Sequence, residues 1–182
     1  MRITGGSARG RKIYTPKSDK IRMTADRIRE SLFDILSSME GALFLDIYAG
    51  TGSVGIEALS RGSAGAVFIE RELLHAGVLK KNLMLCGFEE ACEVLITSAE
   101  RGIHLLSGRK RKFDVVFADP PYDRGGVSDL LGLPGVGDLL AKGGILVVEH
   151  SFREEIAVND MFVLADQRRY GDTVLSFLKL SR

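Results

Sequence analysis

Three stretches of this chain hold residue types at spacings that can do chemistry. The first, Phe117-Ala118-Asp119-Pro120-Pro121-Tyr122-Asp123, ends an apolar run with a carboxylate, two rigid residues and an aromatic ring. Proline has no N–H, so its neighbourhood carries carbonyl oxygens without matching donors. The residue before a proline is held extended, which fixes the path of Asp119. The result is a stiff rim: the Asp119 carboxylate and the Pro120 carbonyl accept hydrogen bonds, Pro121 stiffens the turn and Tyr122 offers a ring. Such a set can accept hydrogens from an NH2 group while stacking on a flat ring. A plain strand terminator would use the same residues, so the stretch alone does not decide.

The second stretch runs from Asp46 through Tyr48, Ala49, Gly50, Thr51 and Gly52 to Gly55 and contains G-x-G-x-x-G. Such glycines let backbone approach a ligand, and the motif by itself is weak. Glu70, at the end of the next apolar run, is placed to hold ribose hydroxyls, either of NAD or of S-adenosylmethionine. Asp46 discriminates between them: a carboxylate four residues before Gly50 repels a pyrophosphate but suits a cationic methionine part.

The third is a basic arm. Residues 1–29 carry nine cations, among them Arg2, Arg9, Arg11, Lys12, Arg22, Arg27 and Arg29, against Asp19 and Asp26. That segment has a net charge of +7 within a chain of net charge +1, leaving −6 for the remaining 153 residues. A basic arm on a mildly acidic body fits a polyanionic partner. The only cysteines, Cys86 and Cys92, show no metal-ligand spacing with the three histidines, so no metal is expected. With no secretory signal and no apolar run of about 18 residues, the reading is a cytoplasmic protein without a transmembrane helix.

The elements that must position these groups alternate. RITGGSARGRKIY reads as a small hairpin arm over residues 1–20. A helix follows from Thr24 to about Met39, and Thr24 can cap it. Strands at 42–47, 64–70, 92–97, 113–119 and 144–150 are interleaved with helices at 54–61, from Leu73 to Cys86, to about Leu106, and from the diproline to near Ala141. A short helix is expected after residue 150. Two alternating runs then flank Gly171-Asp172, an antiparallel hairpin. The expectation for residues 21–182 is one α/β domain: a doubly wound, Rossmann-like seven-stranded sheet ending in that hairpin. In such sheets ligands sit beyond the carboxyl ends of the strands, so the glycine loop and the Asp119 rim should be neighbours.

Asp46 with AGTGSVGIEALSRG, Glu70 and DPPY together resemble a class I S-adenosylmethionine-dependent methyltransferase. With RITGGSARGRKI, IRMTADRIRESLF, FADPPY and RRYGDTVLSFL, the chain resembles over nearly its whole length the bacterial 16S rRNA guanine-N2 methyltransferases of the RsmD family. The resemblance implies S-adenosylmethionine held by Asp46, Tyr48, Ala49, Gly50, Gly52, Glu70, Arg71, Ser98, Ala99 and Asp119. It implies methyl transfer to guanine 966 at the rim of Asp119, Pro120, Pro121 and Tyr122. It also implies 16S rRNA, within a small ribosomal subunit or assembly intermediate, held by Arg2, Arg9, Arg11, Lys12, Arg22, Thr24, Arg27 and Arg29. Two positions depart from the family: Met23 replaces a proline, and Ser98 stands where an Asp or Asn meets the adenine. Competing readings are a DNA or other RNA amine methyltransferase, a protein glutamine methyltransferase, an NAD-dependent dehydrogenase and a non-catalytic RNA-binding module. His150 reads as a strand-end histidine rather than a base.

Overall fold

The computed structural model describes residues 1–15, 26–121, 125–154 and 156–181. Lys17, Lys20, Arg22, Met23, Thr24 and Tyr122 lie outside them. A helix, α1 (Asp26–Leu36), precedes β1 (Leu43–Ile47), α2 (Ser53–Ser60), β2 (Gly65–Glu70), α3 (Leu73–Cys86), β3 (Cys92–Ile96), α4 (Ala99–Gly108), β4 (Phe113–Ala118), α5 (Gly126–Gly132), β5 (Leu140–Ser151), β6 (Phe162–Tyr170) and β7 (Thr173–Leu180). The strands form one sheet in the order β3-β2-β1-β4-β5-β7-β6. The first five are parallel, and β7 runs antiparallel between β5 and β6.

Strand alternation sorts the core into two layers. On one face Phe44, Phe68, Phe117 and Phe177 meet Leu32 and Phe33 of α1 and Ile56 of α2. On the other, Leu45, Val67, Val116 and Leu146 meet Ile103 and Leu106 of α4 and Leu130 of α5. Phe44 and Leu45 are consecutive yet face opposite layers, as a pleated strand requires. Both faces are covered, which explains why the central strands are apolar along their length.

Two expected helices differ. The helix after the diproline stops at Gly132 instead of near Ala141, because Pro134 and Gly135 follow and Gly135 takes φ 87. No helix lies between β5 and β6 among the described residues. There Ser151–Glu154 is a tight turn, with the Glu154 amide donating to the Ser151 carbonyl at 3.0 Å. Among the described residues no helix is long and apolar enough to cross a membrane.

The arm is an antiparallel ribbon with a single bridge, Arg2 to Lys12. It buries Ile3, Ala8 and Ile13 in the α1 face of the core. The Thr4 amide, the Thr4 hydroxyl and the Gly5 amide all donate to Glu57 of α2, at 2.7–2.9 Å. At its far end the Asn82 amide group of α3 grips both the N–H (2.7 Å) and the carbonyl (3.0 Å) of Tyr14. The same Asn82 nitrogen donates to the Thr51 carbonyl at 3.0 Å, tying the arm to the glycine loop.

Candidate active site

The chain order reverses between β1 and β4, and the register pairs Ile47 with Ala118. Tyr48 and Asp119 therefore leave adjacent strands side by side. This switch point is where a doubly wound sheet opens a crevice. A cleft of about 940 Å³ lies there, lined by Tyr48, Gly50, Glu70, Arg71, Ser98, Ala99, Asp119, Pro120 and Pro121. The cleft also takes in Ile69, Glu72, Leu74, His75, Thr97, Glu100, Asp129 and Leu133.

Glu70 is fixed by backbone. The Gly50 amide donates to its Oε2 and the Glu72 amide to its Oε1, each at 2.7 Å. A carboxylate has about four lone-pair sites, so acceptor capacity remains after these two bonds. Gly50 takes φ 57, and a Cβ there would meet nothing within 4 Å, so the backbone stands open to the cleft. Gly52 differs: at φ 79, a Cβ would fall 2.1 Å from Leu79 Cδ1. Its missing side chain serves the packing of the loop on α3 rather than the cleft surface.

Asp46 is 2% exposed, and its Oδ2 accepts the Gly55 amide at 2.9 Å. Burial raises its pKa to about 7; the Gly55 bond opposes the rise and the charge of Glu70 adds to it. Tyr48 is half-buried with φ 63, a left-handed conformation rare for a non-glycine residue and strained for a bulky one. Burial and the nearby Asp129 charge raise its phenol pKa against the pull of Arg71. Ser98 caps α4, its hydroxyl oxygen accepting the Arg101 amide at 3.3 Å. The hydroxyl hydrogen stays available to the cleft.

Of the expected RNA contacts, Arg2, Arg9, Arg11, Lys12 and Arg27 are exposed, and Arg11 donates to the Leu85 carbonyl. Arg29 is corrected. It is 0% exposed, with Nε 3.1 Å from Glu57, a terminal nitrogen 2.9 Å from Asp26, and the same nitrogen donating to the Arg2 carbonyl at 2.6 Å. A guanidinium enclosed in this way ties the arm, α1 and α2 together and has no face for phosphate. His150 is 3% exposed and sits between the Ser176 hydroxyl (2.9 Å) and the Ser151 carbonyl (2.8 Å), with burial lowering its pKa. Leu74 and His75 were not expected in the cleft. A signal was present for Leu74 alone: the apolar pair Leu73-Leu74 opens α3 shortly after Glu70 and is left 76% and 66% exposed in the fold. Among the described residues no group of His, Cys, Asp and Glu could hold a metal ion.

A family model described as conserved hypothetical protein 95 (Cons_hypoth95) matches residues 1–179. The chain is 37% identical over 150 residues to ribosomal RNA small subunit methyltransferase D of Escherichia coli K12, spanning 82% of this chain and 74% of that one. It is 32% identical over 174 residues to the protein of the same name from Haemophilus influenzae, spanning 94% and 89%. A solved hypothetical protein from Thermus thermophilus superimposes with TM-score 0.84 at 30% identity, covering 97% of this chain and 98% of that one. The chain therefore belongs to the Cons_hypoth95 family, that of the RsmD proteins it resembles.

Proposed function

We propose that this protein methylates the exocyclic N2 amine of a guanine in 16S rRNA, drawing the methyl group from S-adenosylmethionine. One observation carries the reading: the Glu70–Gly50 pocket and the Asp119-Pro120 rim open onto a single cleft. The residues fit the cofactor. Glu70, held by two amides with lone pairs to spare, suits a ribose diol. Ile69, Leu74 and Leu133 supply apolar walls for a flat ring, and the Ser98 hydroxyl supplies a polar contact at its edge. Of the glycine loop, Gly50 opens its backbone to the cleft, while Asp46, Ala49 and Gly52 lie outside the cleft lining. The buried Asp46 would therefore act on a cationic amino acid part through its charge. Bound there, S-adenosylmethionine supplies a methyl group already activated by its cationic sulfur.

The chain's own residues then have to align a poor nucleophile. The guanine N2 lone pair is shared with its ring. The Asp119 carboxylate and the Pro120 carbonyl would accept the two N–H bonds, turn the lone pair toward the methyl and stabilise charge growing on nitrogen. Tyr122, outside the described residues, would stack on the base. Arg2, Arg9, Arg11, Lys12 and Arg27 are exposed and would contact phosphate, which positions RNA without reading its sequence. The relatives' name, ribosomal RNA small subunit methyltransferase D, supports small-subunit rRNA as the substrate.

The test is single-turnover methyl transfer to small ribosomal subunits from cells lacking the gene, with the product mapped by nucleoside analysis. Wild-type protein should form N2-methylguanine. Asp119→Ala should lower the rate by more than about 100-fold, the scale for losing one preorganised electrostatic partner. Asp119→Asn keeps an acceptor oxygen and should retain part of the rate. A methylated base other than guanine, or near wild-type transfer by Asp119→Ala, overturns the reading.

A further inference from the structure

The carboxyl end of β5 lies at the same edge of the sheet as the cleft, one strand beyond β4, or roughly 5 Å. Nothing in the proposed reaction uses it. Phe152 leaves that end as a residue 37% exposed, and its amide is anchored to the Asp172 carbonyl at 2.9 Å in the β6–β7 turn. The Arg169 guanidinium lies 4.1 Å above the centre of the Phe152 ring, and that of Arg153 lies 5.5 Å from it. Arg169 Nε donates to the Gly171 carbonyl at 2.8 Å, which orders the guanidinium and leaves its terminal nitrogens as further donors.

A short series of contacts joins this surface to the diproline. The Glu154 carboxylate accepts the Val127 amide at 3.0 Å. Val127 follows Gly126, where a Cβ would lie 2.9 Å from the Pro121 carbonyl oxygen and 3.1 Å from Pro120 Cβ. Phe152 is two residues from Glu154, so the segment that carries it is tied to the rim through the Glu154–Val127 bond. The local acids are also engaged: Glu154 with Val127, and Asp166 with Arg168 at 2.9 Å. The bond from the Val127 amide leaves Glu154 charged, so Arg153 and Arg169 stand against Glu154 and Asp172, and the surface offers a flat face and placed donors rather than an excess of positive charge. An exposed ring and guanidinium, flat and preset, match an unstacked base and the phosphate beside it. Arg in particular offers both a stacking plane and a fork of donors.

We propose that Phe152 and Arg169, with Arg153 beside them, form a platform on which a nucleotide flanking the target base stacks, the guanidinium groups engaging its phosphate. The platform rests on the reading of this chain as an RNA methyltransferase. Its role is to hold the strand in place while the target base is in the cleft. It touches neither cofactor nor reacting atoms, so its loss should act on RNA engagement and not on the methyl-transfer step.

The test uses Phe152→Ala, Arg169→Ala, Arg169→Lys and Arg168→Ala in the full chain. Arg168 is the control, since adjacent residues of a strand point to opposite faces. Steady-state transfer to small subunits gives KM and kcat. Titration with S-adenosylhomocysteine gives cofactor affinity, and filter binding of 16S rRNA across a salt series gives RNA affinity independently of turnover. Phe152→Ala and Arg169→Ala should raise KM and weaken RNA binding about tenfold, the scale of removing one base stack, with kcat, cofactor affinity and melting temperature unchanged. Arg169→Lys should keep the salt dependence and fall between wild type and Arg169→Ala in affinity, because the charge stays and the plane goes. Arg168→Ala should match wild type.

Unchanged RNA affinity in Phe152→Ala and Arg169→Ala, with wild-type protein methylating guanine, overturns the platform and leaves the proposed function standing. A weakened cofactor affinity or a lowered melting temperature in those variants also overturns it, as a structural role. Wild-type protein that leaves every guanine unmethylated overturns the proposed function, and the filter-binding series still decides the platform.

Discussion

Asp46 and Glu57 are two carboxylates eleven residues apart in one strand–helix unit, both almost sealed from water at 2% and 0% exposure. Their surroundings differ. Glu57 accepts the Thr4 and Gly5 amides, the Thr4 hydroxyl and the guanidinium groups of Arg29 and Arg61. Burial opposes its charge, but these donors outweigh it and hold the carboxyl below its usual range. Asp46 accepts the Gly55 amide and lies near the like charge of Glu70, so burial prevails and its pKa climbs to about 7. A buried acid saturated with donors holds the arm, α1 and α2 together. A buried acid short of donors costs stability, and perturbed acids of that kind cluster where a ligand completes the set.

The contrast breaks first at Arg29. Arg29→Met removes one partner of a buried pair and leaves Glu57 short of a cation, so urea unfolding should show a loss of about 3–5 kcal/mol. Stability near wild type would make the Glu57 cluster no different from Asp46. Because Glu57 sits below its ordinary value of 4.5, its contribution is present above that pH and is lost as pH falls through the lower folded value. The deficit of Arg29→Met should therefore narrow in acid.

The exposed cations of the arm should behave in the opposite way. Neutralising Arg9, Arg11 and Lys12 together should leave the unfolding midpoint in place and flatten the salt dependence of RNA binding. The slope should fall by about 0.7–0.9 log units per log unit of salt for each phosphate that the arm no longer neutralises. An unaltered slope would make the arm a solvated surface.

At the donor-poor end, Asp46→Asn should leave stability equal or higher and lower S-adenosylhomocysteine affinity about tenfold, the scale of 1.4 kcal/mol for one charged contact. The ionised form is the one that attracts a cationic amino group. Wild-type affinity should therefore rise as pH rises through about 7, and calorimetry of Asp46→Asn should show that rise gone. A flat wild-type profile would separate Asp46 from the ligand. The smallest effect belongs to Tyr48→Gly. Relief of about 1–2 kcal/mol of left-handed strain should offset the lost burial of the ring, leaving stability within about 1 kcal/mol of wild type. A drop of about 3 kcal/mol or more, the scale of a core aromatic deletion, would make the ring and not the backbone decisive.

Much of the fold was legible because the central strands carry unbroken apolar runs, and α3, expected from Leu73 to Cys86, forms over those residues. The site's two halves were legible as neighbours because the glycine loop and the diproline each follow a strand of one parallel sheet. What escaped is set by tertiary contacts. Arg29 counts as one more cation in a basic segment, and only its pairing with Glu57, 28 residues away, shows it buried. Gly52 reads as part of a ligand loop until Leu79 is found against it. The helix expected to reach Ala141 was carried past Pro134 and Gly135 by an apolar pattern that instead feeds β5. The platform proposed at Phe152 was not legible from one motif: RRYGDTVLSFL contains Arg169 but neither Phe152 nor Arg153, and only the fold brings them together.

The arm's attachment also has a consequence for synthesis. Its apolar residues Ile3 and Ile13 leave the ribosome well before the partners that cover them. Glu57 and Ser60 lie more than 50 residues after the arm residues they bind, and Asn82 lies 68 residues after Tyr14. At roughly 5–20 residues per second the ribbon waits several seconds for α2 and longer for α3. During that interval a strongly cationic, partly apolar segment hangs beside a polyanionic ribosome, so translation itself presents the arm to RNA before its own fold can claim it.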